Sequence, residues 1–290
     1  MLQVPLIDFL YSTTEGLFRY REGESRLLMS GDFFGITRLD RQWVAANRST
    51  GTLQAFDLDG NVTLESDLSM SHTHQIDLIG DYLFVVNTDR NMIRVLSKDF
   101  SFIRDVFPNG DCVRGQSGFC HFNSIYGMGG YVYLIAHNLG EHTGRTSELF
   151  VLDYKLDVVT RLDLGTFSCH NLVVAEKDVF LCHSKKSLVS KNGVPLVRHD
   201  GFFTRGLSVS RHAIIYGINK VALETRERVG KIVIEGPKSS KLIDAHAPVN
   251  DIRQIWFDYG MSQDACKQHN ISQEADALSL ESICSLVSLQ

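Results

Sequence analysis

The residue types best suited to chemistry recur at similar places in successive stretches. "SHTHQIDLIGDYLFVVN" starts at Ser71, "CHFNSIYGMGGYVYLIAHN" at Cys120 and "CHNLVVAEKDVFLCHS" at Cys169. Each sets a histidine just ahead of a short apolar run, a turn and a second apolar run. Imidazole nitrogen suits Zn, Fe, Cu or Ni, and a three-histidine site leaves positions open for water or substrate. His74, His121 and His170 are therefore the expected ligands of a divalent transition metal. His72 lies two residues before His74 on an extended segment, so both fall on one side, His72 as a fourth ligand or a catalytic partner.

Two arginines stand at corresponding places elsewhere, Arg38 in "GITRL" and Arg205 in "FFTRGL". A planar guanidinium fork fits a carboxylate or phosphate, so both are expected beside His72 as catalytic or anion-holding groups. A structural bond to carbonyls of a neighbouring unit is the alternative for each. Asn123, Asn171, Asn250 and Asp251, with Arg205, form the expected substrate-binding set. Three other accounts stay open: polar residues bonding carbonyls around a water-filled channel, a histidine acting as a metal-free general base, and calcium held by the Asn and Asp oxygens. The calcium account resembles the axial site of some six-bladed lactonases and gluconolactonases, but no counterpart of their axial Glu is evident. His137, His142, His183, His199, His212 and His246 are expected to be solvated or locally satisfied, His246 being the one nearest a strand start of interest. "HNLGEHTGRTSE", from His137, is a lid or a solvated loop.

These residues need a scaffold that brings distant segments together. Six stretches share one plan of short strands with period-2 patterning, separated by Gly, Asn, Asp and Ser. They begin near Phe33, Ser71, Cys120, Cys169, Phe202 and Val249. Units of roughly 35 to 50 residues with several strands each predict a β-propeller with one blade per unit. The sixth unit is incomplete, and "LIDFLYSTTEGLFRYREGESRLL" supplies outer strands without an inner one. The chain is thus expected to close its own ring, hiding sheet edges. Six blades fit best, with five or seven as variants and a sandwich or double jelly roll as the other all-β choice.

In that fold the inner-strand starts converge on one mouth of the channel. The converging sets are Thr37 and Arg38, His72 and His74, His121 and Asn123, His170 and Asn171, Thr204 and Arg205, and Asn250 and Asp251. Residues 1–260 make the propeller. Residues 261–290 make a tail with helical spacing at Ala275, Leu278, Leu280, Ile283 and Val287, expected to pack on the propeller.

The 290 residues are 43% apolar with a net charge of −5. That charge argues against a nucleic-acid binder working by bulk electrostatics. No apolar run approaches the ~18 residues of a membrane span. The first residues lack a basic leader region, and the six cysteines show no CxxC spacing, so free thiols in the cytoplasm are expected. Phosphate-cradling loops, a GxSxG elbow, an EF-hand loop and a Rossmann fingerprint are all missing.

Over roughly residues 6–258, "HTHQIDLIGDYLFVVNT", "CHFNSIYGMGGYVYLIAHN", "SCHNLVVAEKDVFLCHS" and "GFFTRGLSVSRHAIIYGINKVALETRER" resemble the signature stretches of an uncharacterised propeller family, the 4915 group of domains of unknown function and its relatives. The resemblance implies a propeller fold and marks His74, His121, His170 and Arg205. It also implies a tailoring step within biosynthetic gene groups. "SCHNL" departs from the family's Pro-His-Ser, and "YGINK" from its Gly-x-Ser, which affects the fourth blade most. The expected function is a metal-dependent enzyme acting on a small polar or anionic metabolite at the axial mouth, by hydrolysis, lyase, isomerase or oxidation chemistry. The alternative is a non-catalytic propeller that binds a ligand or a partner protein.

Overall fold

The computed structural model describes residues 7–70, 72–221, 228–256, 258–259 and 279–287. Alternating apolar residues pair into six four-stranded antiparallel sheets, the blades of a propeller. Blades 1 to 5 follow chain order, with inner strands Phe33–Leu39, Thr73–Ile79, Phe122–Met128, Cys169–Ala175 and Phe203–Val209. Blade 6 is composite. Its inner strand, Val249–Gln254, pairs with Asp8–Thr13, which leads outward to Gly16–Arg21 and Glu24–Ser30. The N-terminal strands therefore close the ring as the sequence predicts, and each inner strand packs against the inner strands on either side.

Buried apolar side chains fill the seams between blades. Trp43, Phe56 and Leu78 lie in one seam, Phe122, Phe150 and Leu134 in another. Burial of each such side chain is worth about 1.5–3 kcal/mol over exposure. The tail adds to one seam. Helix Leu280–Val287 buries Ile283 and Val287 against the cluster containing Tyr133, Leu172 and Leu181. Ala275 and Leu278 lie outside the described residues.

Every inner strand carries an irregularity near its start, and there the blades are latched. Asp251 Oδ2 accepts the Ile36 N–H at 3.0 Å, and Gln75 Oε1 accepts the Ile125 N–H at 3.0 Å. Ser124 Oγ accepts the Asn171 N–H at 3.0 Å, and Asn171 Oδ1 accepts the Gly206 N–H at 2.9 Å. Gly35 fills the same place in blade 1, where a Cβ would sit 2.4 Å from the Ile76 nitrogen. A second set of bonds reaches from blades 2 to 6 to a carbonyl of the next blade. Thr88 Oγ1 donates to Phe122 O (2.6 Å), Asn123 Nδ2 to Cys169 O (3.0 Å) and Ser184 Oγ to Thr204 O (2.5 Å). Asn219 Nδ2 donates to Val249 O (2.8 Å) and Asn250 Nδ2 to Phe33 O (2.8 Å). These latches satisfy buried backbone groups that the ladders leave over. They also fix the side chains around the channel mouth.

Deeper in the channel Arg253 is 1% exposed. Its Nε donates to Ile36 O at 3.0 Å, and its Nη1 lies 3.2 Å from Asp251 Oδ1.

Candidate functional site

The residue just ahead of each latch faces the mouth. Going round from blade 1 these are Phe34, His74, Asn123, His170, Arg205 and Asn250, by the pairing registers and latch bonds. Five are expected site residues. The sixth is a correction: blade 1 presents Phe34, and Arg38 sits further along its strand. Arg38 Nη1 donates to Ile255 O at 3.2 Å, past the far end of the blade 6 inner strand, and its guanidinium covers the Trp43 ring. Thr37 is buried and bonds Asp77. Both lie away from the mouth because an apolar residue occupies the place where a polar one is expected.

Four imidazoles line one side of the mouth. Ring centroids are 5.5 Å apart for His74 and His121, 5.0 Å for His121 and His137, and 5.4 Å for His137 and His170. His137 contradicts the expectation of a locally satisfied loop histidine. It follows the second strand of blade 3, in the slot held by Thr88 in blade 2 and Ser184 in blade 4. His72 and His121 are also equivalent, each at a left-handed φ of 53° immediately before its strand. Their side chains diverge: His121 joins the imidazole row, whereas His72 is half-exposed and pairs with Asp89 at 2.6 Å.

The hydrogen bonds fix the tautomers. Thr88 has one hydroxyl proton, spent on the Phe122 carbonyl, and its Oγ1 lies 2.7 Å from His74 Nδ1. His74 must therefore donate from Nδ1, and the His72 carbonyl on the same nitrogen agrees. Ser184 stands in the same relation to His170. Its proton goes to the Thr204 carbonyl, and Oγ lies 2.9 Å from His170 Nδ1, which also faces the Ser168 carbonyl. Both rings thus leave a lone pair on Nε2. His137 is the reverse: the Leu139 N–H donates to Nδ1 at 3.2 Å, so the neutral ring carries its proton on Nε2.

Charge is concentrated on the opposite side. Among the described residues the Arg205 guanidinium makes no hydrogen bond or ion pair; it lies 4.8 Å from the Phe34 ring centre. The Arg48 guanidinium lies 4.9 Å from the same ring. Burial, with Arg48 nearby, pulls the Arg205 pKa down to about 10, against the pull of Asp251. Arg205 stays charged near neutral pH. Burial, aided by the Arg205 charge, holds His74, His121 and His170 well below the usual imidazole range, and His137 at about 4. All four are therefore neutral.

These groups border a cavity of about 660 Å³ lined by Phe34, Arg48, His137, Phe203, Arg205 and Asn250, among others. Its rim carries Glu141, from the short helix Gly140–Thr143, and Lys185, which form an ion pair. The "HNLGEHTGRTSE" insertion thus forms part of the wall. Asn171 and Asp251 are latches whose oxygens are bound to backbone N–H groups, and Asn123 and Asn250 also latch. His183 bonds Ser190, His199 bonds the Tyr216 hydroxyl, and His246 stacks on Phe18.

The metal expectation meets a mixed fit. His74 and His170 have the ligand tautomer, with Nδ1 tied to an outer partner. Among the described residues, however, no three His, Cys, Asp or Glu side chains are placed to hold one ion. Arg48, Arg114 and Arg205, which all act on His121, also oppose a cation there. Arg48, His137 and Lys185 escape the sequence argument because they leave the second strand or a loop rather than begin the first.

No family model and no curated protein matches the chain. Solved structures do. The chain is similar to a chain in the crystal structure of a nidogen/laminin complex, at 10% identity and a TM-score of 0.61, over 85% of this chain and 97% of that one. It is also similar to a protein of unknown function from Bacteroides caccae, at 12% identity and a TM-score of 0.46, over 61% and 67%. A third is apo AztD from Citrobacter koseri, at 11% identity and a TM-score of 0.44, over 82% and 71%. The likeness to the first is one of fold.

Proposed function

We propose that the protein is an enzyme that binds a small anionic metabolite in the axial mouth and acts on it by acid–base chemistry at the imidazole row. One observation carries this: Arg205, a partly buried guanidinium with no hydrogen-bond or ion-pair partner among the described residues, beside four neutral imidazoles. Burying an unpaired charge costs several kcal/mol, a cost that a bound carboxylate or phosphate offsets. The apolar surfaces of Phe34, Phe202 and Phe203 suit a ligand with a small apolar body. A cytoplasmic setting and a biosynthetic tailoring role belong to the same reading. Five cysteines among the described residues are free, and no helix there is long and apolar enough to cross a membrane.

A metal-bound form is the second reading, favoured by the Nδ1 ties of His74 and His170 alone. It needs His121 to turn and an anion to offset the arginines. Two assays on untagged protein separate the readings. Thermal shift with succinate and inorganic phosphate tests the anion site, and metal content after purification without chelator tests the ion. Stabilisation by anions without bound metal supports acid–base chemistry. Near one equivalent of metal, lost in His74→Ala and His170→Ala, replaces it with the second reading. Binding without turnover of any anion would leave a non-catalytic propeller.

A further inference from the structure

Beneath the mouth lies a second, much smaller cavity of about 10 Å³. That is room for one water molecule. It shares Phe34, Arg205 and Asn250 with the large cavity, so it forms the floor beneath a bound ligand. Two of the residues that line it carry an acceptor without a partner. Asn123 is 3% exposed, and its amide orientation is fixed because Nδ2 donates to Cys169 O, which leaves Oδ1 buried and unbonded. His170 is 4% exposed, and its Nε2 carries the lone pair. Arg205 supplies unused donors to the same space.

A single water completes this set: its two protons go to Asn123 Oδ1 and His170 Nε2, and its oxygen accepts from Arg205. We infer that this floor holds a nucleophilic water and that the mouth is a hydrolytic site for anionic carboxylic esters, with His170 as the base and Ser184 as its positioning residue. The inference rests on the anion-binding reading above. The water gives one proton to His170 Nε2 as its oxygen bonds the acyl carbon, and Arg205 faces the negative charge that develops. The ester C–O bond then breaks. The leaving alkoxide takes the proton back from His170, giving one acid and one alcohol for each ester and water consumed. The Ser184 oxygen holds His170 Nδ1–H, so the imidazolium formed midway keeps its orientation.

The test uses the full chain and mono-4-nitrophenyl succinate, with neutral 4-nitrophenyl acetate as control. The expected result is turnover of the anionic ester well above the neutral one, with ¹⁸O from labelled water in the succinate carboxylate. His170→Gln should lower kcat by about 100-fold or more, the usual contribution of a general base. Ser184→Ala, a milder change, should lower kcat and leave KM near its original value. A crystal structure should show a water within hydrogen-bonding distance of both Asn123 Oδ1 and His170 Nε2. Succinate binding with the ester left at its buffer rate overturns the hydrolytic inference and spares the anion site. Failure to bind succinate overturns both. Turnover undiminished in His170→Gln and Ser184→Ala also overturns the inference.

Discussion

The Arg205 guanidinium lies 4.8 Å from the centre of the Phe34 ring, joining blade 5 to blade 1 across the mouth. The ring face offers the cation some compensation, but it occupies none of the guanidinium's donors. The side chain is held in place with its hydrogen-bonding capacity unspent.

Replacing Arg205 should therefore separate stability from binding. Arg205→Met removes an unpaired buried charge and keeps much of the volume. It should raise Tm, by about 2–4 °C for each kcal/mol recovered, and abolish anion binding. Arg205→Lys keeps the charge without the fork and should weaken binding by about 1–3 kcal/mol. A fall in Tm with unchanged affinity would make Arg205 a structural tie.

Acid should destabilise the fold through its neutral histidines. His137 and His183 are held at about 4, and His74, His121 and His170 also lie well below 6.5. Below about pH 6.5 the unfolded chain binds protons that the folded one refuses, so stability is full above that pH and falls toward pH 4. Asp251, raised to about 6 by burial, acts in the opposite sense between its unfolded value and 6 and offsets one histidine. Tm measured against pH should fall over this window, and less steeply in His137→Gln. A flat profile would mean that these rings are not buried as neutral groups.

The tautomers can be read directly. Long-range ¹H–¹⁵N correlation should show His74 and His170 protonated at Nδ1 and His137 at Nε2. Thr88→Val deletes one of the two acceptors on His74 Nδ1 and leaves the His72 carbonyl, so only the His74 Nδ1–H resonance should shift, with its tautomer kept. Uniform Nε2–H tautomers would contradict the bonding described.

Arg253 is the opposite case from Arg205, because its charge is paired. Arg253→Met leaves Asp251 buried beside the Ile36 latch without its ion partner. Loss of one partner from such a pair costs about 3–5 kcal/mol. Chemical denaturation should report a loss of this size, whereas Arg205→Met should report none.

Much of this was legible in the sequence, and the misses have causes. Blade number and closure follow from the incomplete unit at Val249 and the strands around Asp8, because period-2 patterning survives without tertiary context. His74, Asn123, His170, Arg205 and Asn250 stand out in the sequence as polar residues at inner-strand starts, and the structure sets them round the mouth. Phe34 does not stand out, since a phenylalanine ahead of an apolar strand looks like core, and the polar pair Thr37 and Arg38 draws the eye instead. His137 and Arg48 sit where the second strand ends, a place that carries Thr, Ser or Asn latches in other blades. Only the pairing register shows that this slot opens on the mouth.

The most direct test of the anion site is isothermal titration of succinate into wild-type protein and Arg205→Met near neutral pH. Binding at one site per chain is expected for the wild type, and no detectable heat in the variant. Equal binding by both proteins, or none by the wild type, would contradict the anion site.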